Sequence, residues 1–119
     1  MQEFEVLFYD LPNGKIPVME FLDELDHSMR AKMIRTIELL QNNGTDLREP
    51  YSKPLGDGIF ELRAKVGTDI SRVLYFFIVG RKVILTNGFI KKSAKTPPHE
   101  LDKAKSYRKE YMNRKEDSR

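Results

Sequence analysis

The stretch Gly58–Pro97, GIFELRAKVGTDISRVLYFFIVGRKVILTNGFIKKSAKTP, decides how the chain folds. It predicts three consecutive strands and then the start of a helix. Phe60, Leu62 and Ala64 alternate with Glu61, Arg63 and Lys65, the two-residue period of a strand whose faces differ. Ile70 to Val79 is almost continuously apolar, as a central strand covered on both sides would be. Within it Arg72 falls on the face of Leu74, Phe76 and Ile78, while Tyr75 points the other way with Val73 and Phe77. Gly80-Arg81 fits a two-residue hairpin turn with glycine first. The next strand starts at Lys82 and ends near Ile90, and its Gly88 marks a bulge or a close approach by another backbone. Thr96-Pro97 has the chemistry of an N-cap followed by proline at the first helical position.

Charge is concentrated in the same stretch. Eight of its side chains up to Lys95 are basic and two, Glu61 and Asp69, are acidic, a balance of +6 in a chain whose net charge is +3. The remainder carries −3. A basic stripe on a sheet is the electrostatic footprint of a polyanion binder, most often a nucleic acid.

Working outward, Glu3–Tyr9 alternates with Phe4, Val6 and Phe8 on one face, a strand with one buried side. Asp10–Gly14 has turn chemistry. Pro17 suits the first turn of a helix, and Val18, Phe21, Leu22 and Leu25 follow as one apolar stripe. Asp26-His27-Ser28 interrupts the stripe, with Ser28 the expected N-cap of a second helix lined by Met29, Met33, Ile37 and Leu40. Gly44 is its expected C-cap. Thr45–Asp57 has two prolines and no period, and reads as a loop. The last helix is expected to reach about Tyr111, with Leu101, Ala104, Tyr107 and Tyr111 facing inward. Residues 113–119 read as a polar, frayed tail behind a single domain of residues 1–112. The expected fold is α+β: a four-stranded, mainly antiparallel sheet with an N-terminal helical hairpin and a C-terminal helix.

At 119 residues there is room for one core, and 39% apolar with 10% aromatic residues argues for a folded chain. The chain has no cysteine, which excludes disulfides, thiolate metal sites and a cysteine nucleophile. His27 and His99 are not in metal-ligand spacing. The longest apolar run, Val73–Val79, is far too short to span a bilayer, and the acidic N-terminus lacks the look of a signal peptide. The expected compartment is the cytoplasm.

No nucleophile–base–acid triad, glycine-rich phosphate loop or metal-spaced carboxylate cluster is visible. What remains is cationic: Arg63, Arg72, Lys91, Lys92 and Lys95, with Tyr75 and Tyr51 as hydroxyl donors. Cleavage of RNA can use such a set. The substrate supplies its own nucleophile, the 2′-hydroxyl, and the protein must hold the phosphate and stabilise charge on its oxygens. Arginine adds a two-pronged fork that matches phosphate. No cofactor or metal is required. Alone, the three lysines read as a solvated turn and Tyr75 as a core aromatic. Arg63 by itself reads as a surface ion pair with Glu61 or Asp69. Arg72, at the head of an apolar strand, needs a partner or a ligand. Lys53, Lys65, Tyr51 and Phe89 are candidates for RNA contact, Phe89 by stacking on a base.

Taken together, several segments resemble the toxins of type II toxin–antitoxin systems in the RelE/ParE superfamily, in particular the phage-derived HigB-like branch. They are Pro17-Val18 with Phe21-Leu22, Tyr51–Leu55, Ile59–Arg63, Arg72–Tyr75, Gly88–Lys92 and Lys95–Pro97, followed by Glu100 and Ala104. The resemblance spans roughly Phe4 to Tyr111. It implies a compact α+β endoribonuclease, an mRNA interferase that enters the ribosome and cuts translated messages. It also implies a helix-turn-helix antitoxin as partner, through which the pair reaches operator DNA. Arg63, Arg72, Lys91 and Lys92 fall where the family places basic residues. HigB-like relatives often carry histidine near position 87, where this chain has Asn87; Lys95 and Tyr75 stand in as acid/base candidates. Two alternatives remain on the same fold: a ParE-like gyrase inhibitor without nuclease activity, and an inactive nucleic-acid-binding module.

Overall fold

A computed structural model describes residues 3–91 and 95–117, the side chains to Arg114 apart from that of Lys91. The elements are β1 (Glu5–Phe8), α1 (Pro17–Glu24), α2 (His27–Asn43), a short 3₁₀ turn (Gly44–Asp46), β2 (Ser52–Gly56), β3 (Ile59–Val66), β4 (Asp69–Ile78), β5 (Lys82–Lys91) and α3 (Pro98–Asp117). The architecture is α+β, as the pattern of stripes and alternation implies. The sheet, however, has five strands in the order β1-β5-β4-β3-β2 and is mixed. β1 lies parallel to β5, with Val6 opposite Val83 and Phe8 opposite Leu85. The other pairs are antiparallel.

The extra strand, β2, arises from the segment expected to be a loop. It pairs with β3, with an irregularity between Pro54 and Gly56. Pro54 is tolerated because β2 is an edge strand, so one side of its backbone needs no ladder hydrogen bond. Asp57 and Gly58 make the two-residue turn into β3, both with positive φ, 57° and 78°. Asp-Gly is among the dipeptides that favour such hairpin turns. β4 turns into β5 through Val79-Gly80-Arg81, three residues rather than the expected two, with Gly80 and Arg81 at φ of 92° and 59°.

The two helices before the sheet form as their stripes predict, with one change at the junction. Asp26, not Ser28, is the N-cap of α2: its carboxylate accepts from the Met29 N–H at 2.9 Å. Arg30 then reaches back to the end of α1. Its Nε donates to the Leu22 carbonyl at 2.8 Å and its Nη2 to those of Asp23 and Leu25, each at 2.9 Å. These carbonyls lie at the end of α1, where a helix runs short of backbone donors; that of Leu22 also accepts from the Leu25 N–H at 3.2 Å. Gly44 closes α2 at φ 53°, and a Cβ there would also overlap the Phe4 ring.

Apolar cores form on both faces of the sheet. One packs Val18, Leu22, Met29, Met33 and Leu40 of the helices against Leu62, Val73, Tyr75, Val83 and Leu85. Each fully buried side chain of this kind contributes about 1.5–3 kcal/mol. The other packs Ile59, Leu74, Phe76 and Ile84 against α3, through Leu101, Ala104, Tyr107 and Tyr111. α3 starts at Pro98, one residue later than expected, and continues to Asp117 rather than stopping near Tyr111. Its far half is held by polar contacts. The Tyr9 hydroxyl donates to Glu110 at 2.7 Å, Tyr9 stacks on Tyr107 at 4.7 Å, and Arg114 pairs with Asp10 at 2.9 Å. Among the described residues no helix is long and apolar enough to cross a membrane.

Candidate nucleic-acid interface

The register of β3, β4 and β5 builds the site. Arg63 stands opposite Arg72, and Arg72 opposite Phe89, so the three form one row across the sheet. The next row is Lys65, Ile70 and Lys91. Alternation puts both rows on the face that carries Leu74, Phe76 and α3. Four basic residues therefore occupy adjacent positions at one end of the sheet. Lys91 is placed there by its backbone register, and Lys92 lies outside the described residues.

Glu61 organises the two arginines. The sequence pattern puts it on an outward polar face, yet it is 1% exposed, because the stretch leading into α3 covers that face. Its Oε1 lies 3.7 Å from Arg72 Nη1 and its Oε2 3.2 Å from Arg63 Nε. Thr96, expected to cap α3, instead donates its hydroxyl to Glu61 Oε1. One carboxylate thus collects ion pairs from arginines on two strands and a hydrogen bond from the entry to α3, the arrangement that makes a buried ion tolerable. Arg72 is 0% exposed and reaches no solvent. Glu61 is a partner of the kind its strand position demands. Arg63 keeps 21% of its side chain exposed and is the arginine of the row open to a ligand.

The remaining candidates divide. Lys95 is exposed beside the entry to α3, and Lys53 is exposed on β2. Tyr51, 43% exposed, and Lys65 line a pocket against α2. Phe89 is half-buried and packs into the core under α3, so its ring is a support more than a stacking platform. Tyr75 is not brought to the row. It lies on the opposite face, 1% exposed, with its hydroxyl 2.5 Å from Ser52 Oγ. Burial pushes its phenol above the usual range, against the lowering effect of the Ser52 hydrogen bond, so the hydroxyl stays protonated and enclosed on the far side of the sheet from the arginines.

Asn87 faces α3 one row below the arginines, opposite Leu74. Its Nδ2 donates to the Glu100 carbonyl at 3.2 Å and to Glu100 Oε1 at 2.9 Å. Next to it, Thr86 is the extra residue of a bulge in β5, and its hydroxyl donates to the Leu74 carbonyl at 3.1 Å. Gly88 does mark a close approach, but by a ring: a Cβ there would overlap Phe21 of α1. Nothing in the sequence marks Glu61 and Thr96 as site residues, because their roles exist only once α3 closes over the sheet. Among the described residues no group of three His, Cys, Asp or Glu side chains is placed to hold a metal ion.

No curated protein matches the chain. A family model described as phage derived protein Gp49-like (DUF891) matches residues 20–109. The matched span runs from α1 to α3 and takes in the whole arginine row and its Glu61 hub, so the chain belongs to the Gp49-like family of phage derived proteins.

Proposed function

We propose that this Gp49-like protein is the toxin of a toxin–antitoxin pair and acts as a metal-independent endoribonuclease on translated messages. The observation that carries the reading is the pair of cross-strand rows, Arg63–Arg72–Phe89 and Lys65–Ile70–Lys91, which gathers cations at one end of the sheet. In this reading Arg63 grips the phosphate to be cut, with Lys91, placed by its backbone register, and Lys92 and Lys95, which follow it in the sequence, as further cationic candidates. Arg72 is a positioning residue: through Glu61 it holds Arg63 in place. The RNA 2′-hydroxyl gives up its proton to a base and attacks the adjacent phosphorus; a 2′,3′-cyclic phosphate forms as the P–O5′ bond breaks, the 5′-oxygen leaves as a protonated hydroxyl, and the cations stabilise the charge that grows on the phosphate oxygens. Lys95 is the acid/base candidate on the correct side of the sheet. The partner is a helix-turn-helix antitoxin whose acidic segment neutralises the cationic end, in a complex that weakens with salt.

The test is expression without a partner, with message ends mapped during growth arrest. Cuts within translated messages are expected. Arg63→Ala should lower cleavage well over tenfold, from the roughly 2–4 kcal/mol that one transition-state contact supplies. Arg81→Ala, exposed in the β4–β5 turn, should leave cleavage unchanged. Arrest with intact messages and broken DNA would replace this reading with gyrase inhibition.

A further inference from the structure

Beyond the arginine row, a second cluster of cations lies where β2 leaves the sheet. The last β2–β3 ladder pair is Ser52–Leu62, with one further bond from the Arg63 N–H to the Tyr51 carbonyl. From Ala64 onward the outer edge of β3 has no strand beside it. A pocket of about 240 Å³ opens there, lined by Lys32 and Thr36 of α2, by Arg63 and Lys65 of β3, and by Tyr51. A second pocket of about 390 Å³ adjoins it along α2. The two share Lys32, Thr36 and Tyr51, and the second adds Arg35.

Three features point to a ligand. No carboxylate lines the first pocket, and Glu38 is the one acid in the second. Among the described residues Lys32, Arg35 and Lys65 make no ion pair, and Arg63 is paired with Glu61. Unpaired cations around one cavity repel one another, and an anion relieves that. Tyr51, 43% exposed, presents an aromatic ring as a wall common to both cavities. An exposed ring flanked by cations is the arrangement on which unpaired bases stack while their phosphates are held. The first pocket falls just below the roughly 300–1,000 Å³ of drug-sized sites, a size suited to a single nucleotide.

We infer that the Tyr51 cleft binds two successive nucleotides of single-stranded RNA, one on each side of the ring, with Lys32, Arg35 and Lys65 on their phosphates. Arg63 belongs both to this cleft and to the arginine row, so a strand held at the row continues round the free edge of β3 onto α2. The inference rests on the RNA reading above and deepens it: the cleft selects nucleotides beside the phosphate that is cut. An acidic protein segment would satisfy the cations equally, but gives the exposed ring between two cavities no task.

The experiment is titration of the purified protein with 5′-AMP, 5′-UMP, the dinucleotide ApU and inorganic phosphate, followed by NMR shifts and tyrosine fluorescence. The dinucleotide should bind more tightly than either mononucleotide, and phosphate most weakly. Tyr51→Ala should weaken dinucleotide binding about 5- to 150-fold, the range for one lost stacking platform, and Tyr51→Phe should retain it. Lys32→Ala with Lys65→Ala should weaken it and flatten its salt dependence. Because Tyr51, Lys32 and Lys65 are exposed, these variants are expected to unfold at the parent's temperature, which thermal denaturation verifies. Equal binding of phosphate and dinucleotide, or indifference to Tyr51→Ala, overturns the cleft. So does binding of an acidic peptide with no binding of nucleotides. RNA cleaved normally by the Tyr51→Ala variant removes the cleft and leaves the nuclease standing. Dinucleotide binding by a protein that cuts no message removes the nuclease and leaves the cleft.

Discussion

Replacing Arg72 by alanine is expected to act first on stability and only then on activity. Arg72 and Glu61 are 0% and 1% exposed, and the carboxylate also serves Arg63 and Thr96. Deleting the guanidinium leaves a buried anion with part of its compensation gone and an unfilled volume next to it. Breaking a buried pair from one side costs about 3–5 kcal/mol. Arg63 still reaches Glu61 at 3.2 Å, which favours the lower end of that range. For a chain of this length the loss corresponds to a fall of roughly 10–20 °C in Tm, out of a total stability of about 5–15 kcal/mol. Urea denaturation should show the midpoint falling with an unchanged slope. The double variant Glu61→Leu with Arg72→Met should recover most of the loss, because an apolar replacement of a buried pair is often neutral or better. A loss below about 1 kcal/mol in Arg72→Ala would refute the reasoning, as would a double variant less stable than the single one. The same logic means that cleavage by Arg72→Ala must be read per folded molecule.

Tyr9→Phe tests the clamp on α3. Burial first, then the hydrogen bond to Glu110, raises the Tyr9 phenol from 10.0 to about 12. A raised pKa stabilises the fold below pH 10 and loses that contribution as pH climbs towards 12, a contribution on the order of 3 kcal/mol. Circular dichroism between pH 9 and pH 12 should show a flatter alkaline decline in Tyr9→Phe, and an identical decline would count against the clamp. Gly88→Ala drives a methyl into the Phe21 ring and should cost about 1–3 kcal/mol in denaturation, with no loss if α1 simply shifts outward. Asp26→Ala removes the α2 cap and should cost about 1 kcal/mol, while Ser28→Ala should cost almost nothing; the reverse order would restore Ser28 as the cap.

Local pattern determined much of this molecule. The stripes of α1 and α2, the alternation of β3, the apolar run of β4 and the glycine stop at Gly44 depend on residues within a few positions of one another, and each is legible in order. The face parity of β4 was legible too: Tyr75 and Arg72 are an odd number of residues apart, so they had to point to opposite sides. Pairing outside the β3–β4–β5 meander was not legible. Ser52–Gly56 contains proline and lacks alternation, and becomes a strand because β3 offers it a free edge; Asp57-Gly58 was the one local signal. Nothing within β1 distinguishes a parallel neighbour from an antiparallel one. The site divides on the same line. The cationic end of the sheet follows from strand order and charge, but the fate of each cation depends on what covers it. The segment entering α3 encloses Arg72 with Glu61 and Thr96, while the departure of β2 leaves Lys32 and Lys65 open beside Tyr51. Burial is set by residues distant in the chain, and it alone separates an arginine that holds the fold together from a lysine free to meet a phosphate.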